Sequence, residues 1–195
     1  MKLKQRSDSD RFLNNGKPAG FSVGEFWRWG VADLAHPTIL PWVAEYVVRQ
    51  ALNSLTPSRD PAPPAEVRTP NGARVRVVAT SARPTVTGSK RWRVSFDVTP
   101  DNPVEDSATP RRLADVYVFC LLDNQRPVPN DPLELSRWKF FVLPTHVLDR
   151  VCPEQRSINR DSLEWLNPMA CNFEGLADAV DLAFEAQRTG QTGKH

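Results

Sequence analysis

An unbroken run of apolar residues in the second half of the chain places the strongest constraint on the fold. Residues 114–122 read ADVYVFCLL, and the seven residues after Asp115 are all apolar. A strand that is apolar at every position has to be covered on both of its faces. The run therefore predicts the central strand of a sheet that has other elements packed on each side.

The segments around this run show strand and helix patterns in turn. Strand patterns occur at 66–69, 74–80, 91–98 and 138–143. Pro70-Asn71-Gly72 predicts a hairpin turn between the first two strands. Helix patterns occur at 22–36, 38–52, 145–151, 162–166 and 173–186, and a capping box of Ser22 and Glu25 opens the first helix. These elements predict an α/β (α+β) domain with a mixed central sheet flanked by helices.

The length of the chain, 195 residues, suffices for one domain with its own core. Residues 1–20 are polar and are predicted to form a flexible N-terminal tail with a turn or loose segment at 14–18. Residues 21–187 are predicted to form the single domain, and 188–195 a disordered C-terminal tail. Two proline-containing segments, 54–65 and 99–113, connect elements of the domain.

Composition and pattern exclude several classes of protein. No apolar run approaches the ~20 residues that cross a bilayer, and no apolar stretch of a secretory signal follows the basic N-terminus. The three cysteines, Cys120, Cys152 and Cys171, lack the spacing of a zinc site or a disulfide framework. These observations predict a cytoplasmic protein without a membrane partner. Because the net charge is only +2, any signal for a nucleic-acid partner must be local.

The charge between Glu66 and Asp97 is such a local signal. No acidic residue lies between these two positions, whereas seven basic residues do: Arg68, Arg74, Arg76, Arg83, Lys90, Arg91 and Arg93. On paired strands several of them would form a positive stripe that binds the phosphates of a nucleic acid. The alternative is a solvated sheet face whose charge is balanced by acids of the following loop, Asp101, Glu105 and Asp106.

Two features of the N-terminal helices are also open to two interpretations. Glu45 lies on the apolar side of its helix, where a carboxylate is costly to bury unless a cation neutralises it. Its partner is either an arginine of the neighbouring sheet or a metal ion. In the run Phe26-Trp27-Arg28-Trp29, the aromatic rings either stack on nucleic-acid bases or pack in the core of the domain.

Four segments, taken in order, resemble a known family. They are SVGEFWRWGVADL (22–34), WVAEYVVRQAL (42–52), the run 114–122 and PLELSRWKFFVLPTHVLD (132–149). Together they resemble bacterial proteins that have the restriction-endonuclease-like, PD-(D/E)XK fold, over residues 21–185. The resemblance implies a restriction-endonuclease-like core and, in an active member, Mg²⁺-dependent cleavage of nucleic acid.

The resemblance also implies positions for the catalytic groups. In that family two acids hold Mg²⁺, and the lysine of an E-x-K motif orients the nucleophile. The helix acid corresponds to Glu45 and the first strand acid to Glu66, which would be the metal ligands. The E-V-K positions fall on Val77-Val78-Ala79, or on Arg76-Val77-Val78 if Gly72 is the anchor. In either register both the acid and the lysine are missing.

Substitutes for the missing groups are available on the next strand, where Lys90 and Asp97 lie. A vestigial or migrated catalytic site would then consist of Glu45, Glu66 and Asp97, with Mg²⁺ as a cofactor only if the protein is active. An aspartate flanked by arginines is, however, typical of an ion-paired surface residue.

The sequence supports three hypotheses for the function. The first is a catalytically degenerate nuclease-like domain that binds nucleic acid, with DNA favoured, through the basic strand face. The second is an active Mg²⁺-dependent endonuclease with a migrated site. The third is a protein-interaction subunit of a defence or DNA-processing complex, or a homodimer, for which the proline-containing segments and the aromatic residues are the hints.

Overall fold

The structure is a computed structural model that describes residues 5–59, 66–81, 83–84, 92–101, 112–123 and 131–192. In chain order its elements are β1 (Arg11–Asn14), β2 (Lys17–Ser22), α1 (Val23–Gly30), α2 (Leu40–Ala51), β3 (Glu66–Arg68), β4 (Arg74–Ser81), β5 (Arg83–Pro84), β6 (Trp92–Arg93), β7 (Ser95–Asp97), β8 (Val116–Leu122), β9 (Trp138–Pro144), α3 (Thr145–Val151), β10 (Ser157–Asn159), α4 (Arg160–Trp165), β11 (Met169–Cys171) and α5 (Leu176–Thr192). No helix in these ranges is long and apolar enough to cross a membrane.

Five strands form the central sheet, in the order β11-β9-β8-β4-β3. β8 is parallel to β4 and antiparallel to β9, and the edge strands β3 and β11 are antiparallel to their neighbours. All seven residues of β8 are buried, which confirms the central strand predicted from the apolar run. The mixed sheet and its helices confirm the predicted α/β (α+β) class, and the finer assignment to a restriction-endonuclease-like core stays a prediction.

The side chains of the central strands alternate between two core clusters. On one side, which we call the α2 face, Val75, Val116 and Val118 pack with residues of α2 and α5. On the other side, which we call the α3 face, Tyr117 and Phe119 pack with residues of β7, β10, α3 and α4. Side chains that lie on different faces are separated by the sheet, so this alternation decides which residues can meet at a site.

The N-terminal segment differs from the prediction of a flexible tail over 1–20. Residues 11–22 form a hairpin in which β1 pairs with β2. Its turn is Asn15-Gly16, with φ angles of 47° and 77°, which is the left-handed pair that a type I′ turn requires and that Asn-Gly favours. Nearly all residues of both strands are exposed, so the alternation that usually reveals a strand is missing from the sequence.

Element boundaries differ at three further places. The segment 91–98, predicted as one strand, is divided at Val94 into β6 and β7, which pair with β5 and β10 rather than with the central sheet. α1 ends at Gly30 rather than near 36, and α5 continues to Thr192, past the domain boundary predicted at 187. Residues 60–65 and 102–111 of the two proline-containing segments lie outside the described residues.

The aromatic rings of α1 are on the surface. Phe26, Trp27 and Trp29 are exposed, so the interpretation that places them in the core is wrong. α1 packs mainly on β2, which is itself exposed. No core element therefore covers the rings of α1 within the part of the chain that the structure describes.

Candidate nucleic-acid interface

The β3–β4 hairpin positions four of the sequence-predicted site residues at one edge of the sheet. Its turn is closed by hydrogen bonds from Thr69 N to Ala73 O (3.0 Å) and from Gly72 N to Thr69 O (3.0 Å), and Gly72 has a φ of 93°. The register pairs Glu66 with Arg76 and Arg68 with Arg74. Because directly opposed residues share a face and Arg76 also lies opposite Tyr117, all four side chains belong to the α3 face.

Arg74 is neutralised by Asp115, the residue just before β8. Its Nη2 lies 2.9 Å from Asp115 Oδ1, and its Nε and its backbone N donate to Oδ2 at 3.2 and 2.9 Å. These hydrogen bonds raise the pKa of Arg74. Burial raises the pKa of Asp115, but the hydrogen bonds and charge of Arg74 outweigh burial and hold that pKa below its usual range. The pair is therefore charged at neutral pH.

We expect the Arg74–Asp115 pair to make the fold acid-sensitive. Asp115 has a lower pKa in the folded chain than in the unfolded chain, so its stabilisation is complete above about pH 4 and is lost as the pH falls through the folded value. Urea unfolding between about pH 5 and pH 3 should show a steeper loss of stability in wild type than in Asp115→Asn. The exposed Asp161→Asn is the control. Equal pH dependence of wild type and Asp115→Asn would contradict this prediction.

Arg76 is also neutralised, by the first acid of the loop that follows β7. Its Nη2 forms an ion pair with Asp101 Oδ1, and Asp101 Oδ2 accepts a hydrogen bond from Leu113 N at 2.8 Å. Asp101 thus supplies the balancing charge that the solvated-face alternative requires. Glu105 and Asp106, the other acids of that alternative, lie outside the described residues.

The other cations of the stripe lie on the edge strand β3 and in the segment that contains β5 and β6. Arg68 is exposed on the edge strand β3 and forms no ion pair with any described residue. The backbone register places Arg83 of β5 directly opposite Arg93 of β6. Lys90 and Arg91 lie outside the described residues. Within the predicted stripe, Arg74 and Arg76 are therefore neutralised, Arg68 is exposed at the sheet edge, and the other four cations follow in sequence from two residues beyond the end of β4.

Glu45 is buried and is held by two arginines. Its residue exposure is 5%, Arg49 Nε lies 2.9 Å from Oε1, and Arg59 Nε lies 2.7 Å from Oε2. Arg49 also donates to the carbonyl oxygens of Ser54 and Glu66. The pairing alternative accounts for this carboxylate, with partners from the same helix and from the segment after it rather than from the sheet.

The structure does not bring Glu45, Glu66 and Asp97 together. Asp97 is exposed on β7, and its Oδ1 accepts hydrogen bonds from the backbone N and Oγ1 of Thr99 at 2.8 and 2.6 Å. β7 packs on the α3 face, whereas the helix that carries Glu45 packs on the α2 face. Among the described residues no three His, Cys, Asp or Glu side chains form a group that could hold a metal ion.

The positions expected for the E-x-K motif carry neither carboxylate nor amine in either register. Val77 and Ala79 pack against the core of the α2 face. In the second register Arg76 and Val78 lie on the α3 face, and Val78 packs against the other core cluster. In this second register the guanidinium of Arg76 stands at the position where the resemblance would place the acid of the motif.

Sequence reasoning missed two residues that shape this region. Asp115 precedes an apolar strand and gives no sign of its partner Arg74, which opens the neighbouring strand β4. Arg112 has a side chain that is 0% exposed and pairs with Asp149 at 2.9 Å. Burial raises the pKa of Tyr117, which interacts with the charges of Arg76, Arg112, Asp101 and Asp149, to about 12. These residues are distant in sequence, and the fold brings them together.

The three cysteines are free thiols. Burial raises the pKa of each of them, so none has the thiolate character of a reactive cysteine. Cys120 packs in the core of the α2 face.

No known protein-family model matches this chain, and no curated protein matches it. The resemblance to restriction-endonuclease-like proteins therefore stays a prediction.

Proposed function

We propose that this protein binds nucleic acid, with DNA favoured, through the basic β5–β6 ribbon beyond β4, and that it does not cleave what it binds. The observation that carries the proposal is the backbone register of the ribbon, which sets Arg83 opposite Arg93. Like charges at opposed positions of an antiparallel pair are unfavourable. A phosphate bound at this register position would add the opposite charge and release counterions.

Other charges of the stripe support the same surface. Lys90 and Arg91 lie between β5 and β6 in sequence, whereas the exposed Arg68 lies opposite Arg74 at the other end of β4 and does not belong to this surface. A duplex carries one negative charge per about 1.7 Å of its axis, so even a short ribbon with several cations can contact several phosphates. Arg74 and Arg76, which are ion-paired, stabilise the strand from which the ribbon continues.

The absence of cleavage is proposed from the charges at the expected catalytic positions. A metal ion at Glu45 would have to displace both Arg49 and Arg59. At the E-x-K positions the chain offers apolar side chains or Arg76, which repels a divalent cation. Loss of a metal-binding acid and of the lysine removes several kcal/mol of transition-state stabilisation, about a 10³-fold or larger decrease in rate.

The double variant Arg83→Ser/Arg93→Ser is expected to bind a labelled DNA duplex more weakly and with a smaller salt dependence. Each phosphate contact contributes about −0.9 to the slope of log K against log salt, so the slope should become less steep by about 2. Fluorescence anisotropy over about 50 to 200 mM salt measures both quantities. Arg160→Ser/Arg188→Ser is the matched control, because it removes the same charge from exposed helix ion pairs. Equal losses in both double variants would contradict the proposed surface.

Incubation of labelled duplex and single-stranded DNA with Mg²⁺ or Mn²⁺ distinguishes the other hypotheses. We expect no products. Metal-dependent products that disappear in Glu45→Gln would overturn the proposal in favour of an active endonuclease with a migrated site. An absence of binding to DNA even at low salt would overturn it in favour of a protein-interaction subunit.

A further inference from the structure

The β1–β2 hairpin and α1 form a small unit, which we call the aromatic unit, that is held together by specific backbone contacts. Val23 N donates to Asp10 O and Gly24 N to Asp8 O, both at 2.9 Å. A Cβ on Gly24 would lie 2.9 Å from Asp8 O, so only glycine allows this approach. The capping box of Ser22 and Glu25 fixes the first turn of α1. The unit therefore presents its side chains in a defined arrangement.

Four aromatic rings form a connected cluster on the surface of this unit. The ring centroids of Phe12 and Phe21 are 4.8 Å apart, those of Phe12 and Phe26 6.4 Å, and those of Phe26 and Trp29 6.3 Å. The four residues are nevertheless between 39% and 80% exposed, with Trp29 the most exposed. Contiguous exposed rings of this kind mark a binding surface rather than a random distribution of single residues.

Residues 11–30, which carry the rings, contain three basic residues and one acid, Glu25. Arg11, Lys17 and Arg28 are exposed, and none of them forms an ion pair with a described residue. Glu25 stays charged, because its hydrogen bonds with Ser22, and after them the charges of Arg11 and Arg28, lower its pKa. Glu25 accepts a hydrogen bond from Ser22 N at 2.6 Å, and Asp10 pairs with Arg6 at 3.6 Å and accepts a weak hydrogen bond from Ser7 N.

We propose that the aromatic unit binds single-stranded nucleic acid, with unpaired bases stacked on the exposed rings and phosphates beside Arg11, Lys17 and Arg28. This inference rests on the proposed function in that the chain binds nucleic acid, and it adds a second surface with a different substrate class. A single strand alternates flat apolar bases with negative phosphates, and the unit combines flat apolar rings with unpaired cations. A duplex offers no base faces to these rings.

The composition of the surface argues against a second copy of the chain as the occupant. Five of the six large exposed apolar residues of the unit are aromatic, namely Phe12, Phe21, Phe26, Trp27 and Trp29, with Leu13 as the exception. Rings rather than aliphatic side chains are what bases stack on.

Trp29→Ala is expected to weaken binding of a labelled oligothymidylate by about 5- to 150-fold, the range that loss of one stacked base gives. Phe26→Ala/Trp29→Ala should weaken it further. Trp29 is 80% exposed, so its removal leaves the fold intact. Trp165→Ala is the matched control, because Trp165 is a similarly exposed tryptophan on α4. Anisotropy with the oligothymidylate and with a duplex, at one salt concentration, gives both affinities for each variant.

The two proposals fail in different ways in this experiment. If the ring variants bind oligothymidylate as wild type does, while Arg83→Ser/Arg93→Ser still loses duplex affinity, the inference is overturned and the proposed function stands. If wild type binds neither nucleic acid, both are overturned. Ring-dependent binding to vesicles of anionic lipid, or ring-dependent dimerisation in sedimentation, without affinity for the oligothymidylate would assign the unit to a membrane surface or to a second copy and overturn the inference.

Discussion

Arg112→Met is expected to lower the free energy of unfolding by about 3–5 kcal/mol. The Arg112 side chain is fully buried, and its donors reach three separate segments. Nε donates to Val98 O at 3.1 Å, Nη1 to Asp149 at 2.9 Å, and Nη2 to the carbonyl oxygens of Cys152 and Gln155 at 2.9 and 3.2 Å. Methionine has a similar length but no donor, so the carbonyl oxygens that face Arg112 lose their partners.

Urea unfolding followed by tryptophan fluorescence measures this loss, with Arg150→Met as the control. Arg150 is exposed on the adjacent helix α3, and its replacement should change the free energy of unfolding by less than about 0.5 kcal/mol. If Arg112→Met does not fold, Arg112→Lys provides a graded test, because lysine can pair with Asp149 but cannot reach all the carbonyl oxygens. A free energy of unfolding for Arg112→Met that lies within about 1 kcal/mol of the wild-type value, which is the error of the urea extrapolation, would contradict the prediction.

The central layer of the fold was predictable because its signal is local. A strand buried on both faces has to be apolar throughout, and 116–122 has that composition. The Pro70-Asn71-Gly72 turn likewise carries its own geometry, since Gly72 adopts the positive φ that the turn requires. The capping box of Ser22 and Glu25, read from a four-residue pattern, is present in the structure.

Elements that depend on partners distant in sequence were less predictable. The alternation at 91–98 predicts a strand but not its neighbour, and β7 pairs with β10, about sixty residues away, rather than with the central sheet. The N-terminal hairpin was missed because its exposed strands carry no alternation, although Asn15-Gly16 is a strong hairpin signal.

The same limit applies to the candidate site. The sequence locates the cations of the stripe, but it does not show that Asp115 neutralises Arg74 or that Asp101 neutralises Arg76. The first pair depends on the register of β4 and β8, and the second on where the segment after β7 lies. For Glu45 the sequence predicts that a cation must neutralise it, and it leaves open which one.

Glu45→Gln is expected to lower the free energy of unfolding by about 2–4 kcal/mol, because it leaves two guanidinium groups beside a neutral amide. The side chain of Arg49 is 10% exposed and that of Arg59 is 36% exposed, so the unpaired Arg49 carries most of the cost. The amide of glutamine can accept from one arginine, but its NH₂ group then faces the other arginine, which is also a donor. Glu164→Gln, in an exposed ion pair on α4, should change stability by less than about 0.5 kcal/mol.

A second variant separates loss of the ion pair from general disruption of α2. Glu45→Leu/Arg49→Leu removes both buried charges and fills the space with apolar groups, and such replacements are often neutral or stabilising. We expect this double variant to be more stable than Glu45→Gln in urea unfolding. Arg59 keeps a partner in it, because its guanidinium lies 5.4 Å from the ring centroid of Trp42. A double variant as unstable as Glu45→Gln would mean that the shape of the Glu45 side chain, rather than its charge, stabilises the helix.

The effect of Mg²⁺ on thermal unfolding tests the role of Glu45 from the opposite direction. A metal that binds only the folded chain raises the Tm by mass action, so a ligand role for Glu45 predicts an increase in wild type that Glu45→Gln abolishes. An ion-paired Glu45 predicts no Mg²⁺-dependent increase in either protein and a lower Tm for Glu45→Gln in both conditions. Because each of the two Glu45 carboxylate oxygens already accepts from an arginine Nε, we expect the second result. A Tm increase that requires both Mg²⁺ and Glu45 would show that the arginines are displaced in solution and would restore Glu45 as a metal ligand.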